Sequence, residues 1–137
     1  IQIRKQLCDD IVILKLFPGI TEQVVKSILN IKNLKGVILE TYGSGNATTK
    51  TWFITLLHQA IKKGIKIINV SQCAGGSVIM GKYETSIKLI EIGVISGFDI
   101  TTESAIAKLM YLLGQNIPTN DFKTVFETPI RGEMTIL

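Results

Sequence analysis

Apolar residues in this chain fall into two alternating arrangements. Ile11-Val12-Ile13-Leu14-Lys15-Leu16-Phe17, Gly36-Val37-Ile38-Leu39-Glu40 and Ile65-Lys66-Ile67-Ile68-Asn69-Val70 are short, rich in β-branched residues, almost unbroken, and followed by turn residues. Runs of this kind predict strands covered on both faces, and therefore a parallel sheet. Gly93-Val94-Ile95-Ser96-Gly97 is a shorter fourth candidate with a glycine at each end. Between the runs, apolar positions recur at helical spacing. Residues 21–29 open on Thr21 as an N-cap and align Val24, Val25 and Ile28. Residues 48–63 place Phe53, Leu56, Leu57, Ala60 and Ile61 on one stripe, with Lys62 and Lys63 in the last turn and Gly64 beyond it. Residues 84–92, 101–113 and 118–126 predict three more helices, the second with Ile106, Leu109, Met110 and Leu113 on one face.

Strands alternating with crossover helices predict an α/β domain. Its architecture is a three-layer α/β/α sandwich on a mainly parallel sheet of about four strands, Rossmann- or flavodoxin-like. The domain is expected over residues 11–137, with 1–10 as a linker or the lead-in from an earlier domain. A length of 137 residues suits one domain, and Ile1 in first place suggests a piece of a longer chain. With 46% hydrophobic and 19% charged residues, neither a disordered tail nor a coiled coil fits. The net charge of +4 comes from scattered lysines and arginines, so no nucleic-acid partner is expected. No apolar stretch reaches the ~20 residues of a membrane helix. Cys8 and Cys73 are too few for a disulfide framework and suit a reducing cytoplasm.

Ligands of open parallel sheets sit at the carboxyl ends of the strands. That rule selects the loops Phe17-Pro18-Gly19, Thr41-Tyr42-Gly43-Ser44-Gly45-Asn46 and Ser71-Gln72-Cys73-Ala74-Gly75-Gly76-Ser77. The Gly43/Gly45 pair reads either as a turn needing positive φ or as a loop that cradles a ligand; Thr48 stands where a full dinucleotide fingerprint needs glycine. Asn46 can bond its own backbone, cap the following helix or face a polar ligand. Cys73 lacks a base to make a thiolate, because the single histidine, His58, falls at the edge of the polar face of its helix. One histidine and two distant cysteines build no zinc site. Glu84, Asp99 and Glu103 fall at helix starts, where a carboxylate serves the macrodipole, and Thr101 and Thr102 read as caps. No catalytic residue, metal site or cofactor is expected in this segment.

The blocks GVILETYGSGNA (36–47), INVSQCAGGSVIMGKYETS (68–86) and GVISGFDITTESAIAKLMYLL (93–113), with VILKLFPG (12–19), resemble the C-terminal domain of the cytoplasmic type I bacterial L-asparaginases. The resemblance implies a cytoplasmic two-domain amidohydrolase that converts L-asparagine to L-aspartate and ammonia. Its nucleophilic threonine would lie in an N-terminal domain; the TGGT and HGTDT runs that mark that domain do not occur here. The segment alone is then expected to be inactive. Implied partners are its own N-terminal domain and a second subunit, as a homodimer or dimer of dimers. In that family the C-terminal domain completes a neighbouring subunit's site, a role that falls on Asn46, with Gly45 permitting close approach. A second asparagine, an allosteric effector, would meet Glu40, Ser71 and Cys73. Glu40 stands where a regulated relative has arginine, and repels an effector carboxylate that arginine would bind. A proline is common after Ala47, where this chain has Thr48, which is available to cap the helix instead. Trp52, Tyr42 and Tyr83 lie at or near the loops as candidate interface anchors or as core residues. The alternatives are an asparaginase-like subunit of a glutamyl-tRNA amidotransferase and a stand-alone ligand-binding module.

Overall fold

A computed structural model of the chain describes residues 6–48, 50–73, 75–79 and 84–135. Four strands, β1 (Ile11–Lys15), β2 (Gly36–Thr41), β3 (Lys66–Ser71) and β4 (Ile95–Ser96), form one parallel sheet in the order β1-β2-β3-β4. Each step moves to the next strand in the same direction. Right-handed crossovers then put all three connecting helices on one face. Those helices are α1 (Glu22–Leu29), α2 (Thr51–Lys62) and α3 (Glu84–Ile92). The chain beyond β4 covers the other face with α4 (Thr102–Leu113) and α5 (Thr119–Phe126).

Alternation along the central strands feeds two cores. Val37, Leu39 and Ile67 meet Val25, Phe53, Leu57 and Leu89 beneath α1–α3. Ile38, Ile68 and Val70 meet Leu109, Phe122 and Phe126 beneath α4 and α5. Both faces of β2 and β3 are dry, which is why their sequences read as continuous apolar runs. The likeness to Rossmann and flavodoxin folds is one of layers and parallel strands; the sequential order contains no reversal.

Several local expectations shift. Helix α2 begins at Thr51, not Thr48, and its N-cap is Lys50, with no side-chain bond. Thr48 Oγ1 accepts from Lys50 N (3.4 Å) ahead of the helix, and Lys50 itself is extended (φ −67°, ψ 132°). Thr21 and Thr101 cap α1 and α4 as predicted, accepting from Val24 N (3.3 Å) and Ser104 N (3.1 Å). Strand β4 shrinks to two residues, its last ladder bond running from Gly97 N to Asn69 O (2.9 Å), and Phe98 then turns away at φ +54°. Glu84 and Glu103 do open helices, but Asp99 lies outside α4 and accepts from Thr135 N instead. Residues 6–10 run along α4, with Cys8 N donating to Met110 O (3.0 Å). Trp52 and Tyr42 are half-buried against the α1–α3 core; Tyr83 lies outside the described residues. Among the described residues, the exposed aromatic at the carboxyl edge is Phe17.

Candidate functional site

The second and third loops meet at the carboxyl edge. Tyr42 and Asn46 close a tight turn: Tyr42 N donates to Asn46 O (2.8 Å), and Gly45 N and Asn46 N both donate to Tyr42 O (2.9 Å each). Those two amides point into the turn, so they are not available to cradle a phosphate. The remaining carbonyls are taken from outside. Gly43 O accepts from Ser71 Oγ (2.6 Å), Ser44 O from Ile79 N (2.8 Å), and Gly45 O from Asn69 Nδ2 (3.3 Å). Every carbonyl of residues 42–46 therefore has a donor.

Gly45 is buried at φ +106°, and an added Cβ would come within 2.9 Å of Val78 Cγ1 and 3.4 Å of Asn69 Nδ2. The close approach its glycine permits is made by this domain's own residues. Asn46 is half-buried; its Oδ1 accepts from Ala47 N (3.0 Å), and among the described residues its Nδ2 has no partner. Of the three readings of this asparagine, the bond to its own backbone is realised and the helix cap is not. Beside it, Tyr42, Ala47, Thr48 and Lys50 line a cleft of about 340 Å³ whose other wall is Phe17-Pro18-Gly19-Ile20. Ligand crevices in open sheets form where the strand order reverses, and this sheet has no reversal. The edge is therefore an open surface rather than a closed pocket.

Ser71 and Cys73 touch, while the side chain of Glu40 lies on the other face of the sheet. Glu40 is paired in register with Val70 on the α4–α5 face; its carboxylate accepts from Thr102 Oγ1 (3.4 Å) and lies 3.8 Å from Lys15 Nζ. Ser71, paired with Thr41, faces the opposite side. Its hydroxyl donates to Gly43 O and accepts from Cys73 N (3.1 Å). Cys73 is an exposed free thiol. His58 is half-buried, eighth in α2, so about 10 Å along the helix from its start at this edge. No group of three or more potential metal ligands occurs among the described residues, and no helix there is long and apolar enough to cross a membrane.

Sequence reasoning passed over three residues of this edge. Gln72 Nε2 donates to Leu16 O (2.6 Å) and Glu40 O (2.9 Å), tying the ends of β1 and β2 together. Thr41 and Asn69 are fully buried, and Thr41 Oγ1 donates to Asn69 Oδ1. The available signal was a lone amide inside the apolar run 65–70.

The model of the glutaminase/asparaginase C-terminal domain family matches residues 10–126. The chain belongs to that family. Among relatives of this asparaginase-type domain, it is 41% identical to the "60 kDa lysophospholipase" of Mus musculus over 128 residues, 93% of this chain and 22% of that protein. It is 38% identical to "L-asparaginase 1" of Escherichia coli (strain K12) over 123 residues, 90% of this chain and 36% of that protein. The crystal structure of L-asparaginase I from Vibrio cholerae O1 biovar eltor superimposes with a TM-score of 0.87 at 38% identity, covering 93% of this chain and 38% of that one. The chain thus spans between about a fifth and two fifths of the length of these relatives.

Proposed function

We propose that this chain is the C-terminal domain of a cytoplasmic enzyme that hydrolyses L-asparagine to L-aspartate and ammonia, and that it lends Asn46 to the active site of a neighbouring subunit in a homo-oligomer. The nucleophile is supplied by an N-terminal domain. The observation that carries the reading is the loop 42–46, whose carbonyls are all engaged while Asn46 Nδ2 is left without a partner among the described residues. An uncharged amide so placed can bond the head of a zwitterionic amino acid without adding charge to the site. The open edge, walled by Phe17, Tyr42 and Lys50, supports a site completed by a second surface.

The test is ammonia release from asparagine by the full-length protein. Asn46→Ala is expected to lower kcat/KM by about tenfold or more, the loss of a hydrogen bond to a charged group. The 137-residue segment alone is expected to release none above the buffer rate. Unchanged kinetics in Asn46→Ala removes Asn46 from the site. Hydrolysis of lysophosphatidylcholine with no turnover of asparagine overturns the whole reading.

A further inference from the structure

We propose that Asn69 is a positioning residue: from the middle of β3 its carboxamide holds the carbonyl of Gly45, and through it fixes where the loop presents Asn46. The inference rests on the role proposed for Asn46. On that face of the sheet Leu39 beside Asn69 and Ile67 two residues before it are apolar, and all three are 0% exposed, while Thr41, Ser71 and Ser96 around it are polar. A leucine there would fill the layer without burying a polar group. Burying an amide costs stability unless its hydrogen bonds are remade. Here they are remade on the loop. Nδ2 donates to Gly45 O (3.3 Å), and Oδ1 accepts from Thr41 Oγ1. That pair also fixes the amide's orientation, since the flipped amide would set its oxygen against the oxygen of Gly45.

Asn69 does not act in isolation. Ser71, two residues on and on the same face, holds Gly43 O, and Ile79 N holds Ser44 O. Three consecutive carbonyls are gripped by three residues from outside the loop, two of them on one strand. Buried polar networks that are fully satisfied specify one arrangement of the groups they join. Of the three donors, Asn69 is the one fully buried side chain, and its own carbonyl also takes Gly97 N (2.9 Å). A loop displaced by 1 Å can lower a rate about a hundredfold.

The experiment uses the full-length enzyme with Asn69→Leu, of the same branched shape but no donor, Thr41→Val, which releases Oδ1 at constant volume, and Val70→Ala as the control. Val70 is adjacent, equally buried and on the opposite core. Asn69→Leu is expected to lower kcat/KM at least about tenfold, and to lower it no further in an Asn46→Ala background. Exchange of the Tyr42, Gly45 and Asn46 amide protons is expected to quicken about tenfold in Asn69→Leu but not in Val70→Ala. Should Asn69→Leu fail to fold, Thr41→Val is expected to show the same pattern at smaller amplitude. Losses that multiply with those of Asn46→Ala, or unchanged exchange of the three amides, overturn the positioning role. Asn46→Ala with normal kinetics, together with quickened exchange in Asn69→Leu, locates the failure in the role given to Asn46 and not in the grip on the loop.

Discussion

Lys108 Nζ lies 3.4 Å from Glu133 Oε1, with the lysine side chain only 3% exposed. The ammonium also donates to Thr128 O (2.9 Å) and sits 4.9 Å above the centre of the Phe126 ring. Burial pulls the Lys108 pKa below its ordinary value, and Glu133 only partly restores it. For Glu133, burial pushes upward, but the N–H groups of Ile130 and Arg131 and the Lys108 charge together outweigh it. Its carboxyl is therefore held below the usual range. Residues 127–135, the described part of the chain after α5, carry no helix or strand and are tied to α4 through this pair.

Lys108→Met is expected to cost about 3 kcal/mol of unfolding free energy, because one buried charge loses its partner. Adding Glu133→Gln should recover part of that loss, since neither charge then remains. Urea unfolding of the two single variants and the double variant reads the coupling directly. Strictly additive losses would mean that the two side chains act independently.

Acid should loosen the same segment. Glu133 and Asp99 both have folded values below their ordinary 4.5 and 3.8, Asp99 chiefly through the Thr135 N–H. Below those ordinary values the unfolded chain binds more protons. The stability they contribute is thus complete above them and lost as pH falls through the folded values. Lys108 has the same sign in a different window, adding stability as pH rises from its lowered folded value toward 10.5. Melting temperatures measured against pH should fall on the acid side, and less steeply in Glu133→Gln.

The helix caps separate into two kinds. Thr21→Ala and Thr101→Ala are each expected to cost about 1 kcal/mol, as each removes an acceptor from an exposed helical N–H. Thr48→Ala should cost less than about 0.5 kcal/mol, because its bond lies ahead of α2. Thermal unfolding of the three variants decides. An equal loss at Thr48 would mean that it does cap the helix.

Gly45→Ala combines a left-handed φ with a Cβ driven against Val78, whereas Gly43, at φ +49°, has no atom within 4 Å of an added Cβ. Gly45→Ala is expected to be less stable than Gly43→Ala by at least about 1 kcal/mol. Adding Val78→Ala should relieve the contact but not the backbone strain. Denaturation midpoints of the three variants test this. Equal losses for the two glycine replacements would count against the tight packing of the loop on Val78.

Much of the architecture was legible along the chain. Val37, Ile38 and Leu39 announced a strand buried on both faces, and the α2 stripe of Phe53, Leu57 and Ala60 announced the helix that covers one of them. Helix starts were legible where a threonine accepts a bond from three residues on, as at Thr21 and Thr101. The start of α2 was not, because the extended backbone of Lys50 delays the helix past a threonine that looks like a cap. At the edge, Asn46 was visible as a loop asparagine, while Asn69, which holds its loop, reads in isolation as an oddity in an apolar strand.

Periodicity and turn residues by themselves determined the strands, the helices and their three layers, because side-chain direction repeats over two or 3.6 residues and needs no distant information. The sequential strand order, the grip of Asn69 on Gly45, the contact of Thr102 with Glu40 and the tie from Asp99 to Thr135 join residues 24 to 62 positions apart. Local pattern carries no record of such partners. Only the tertiary structure decided them, since a buried polar group is satisfied by whichever donor or acceptor the fold brings within reach.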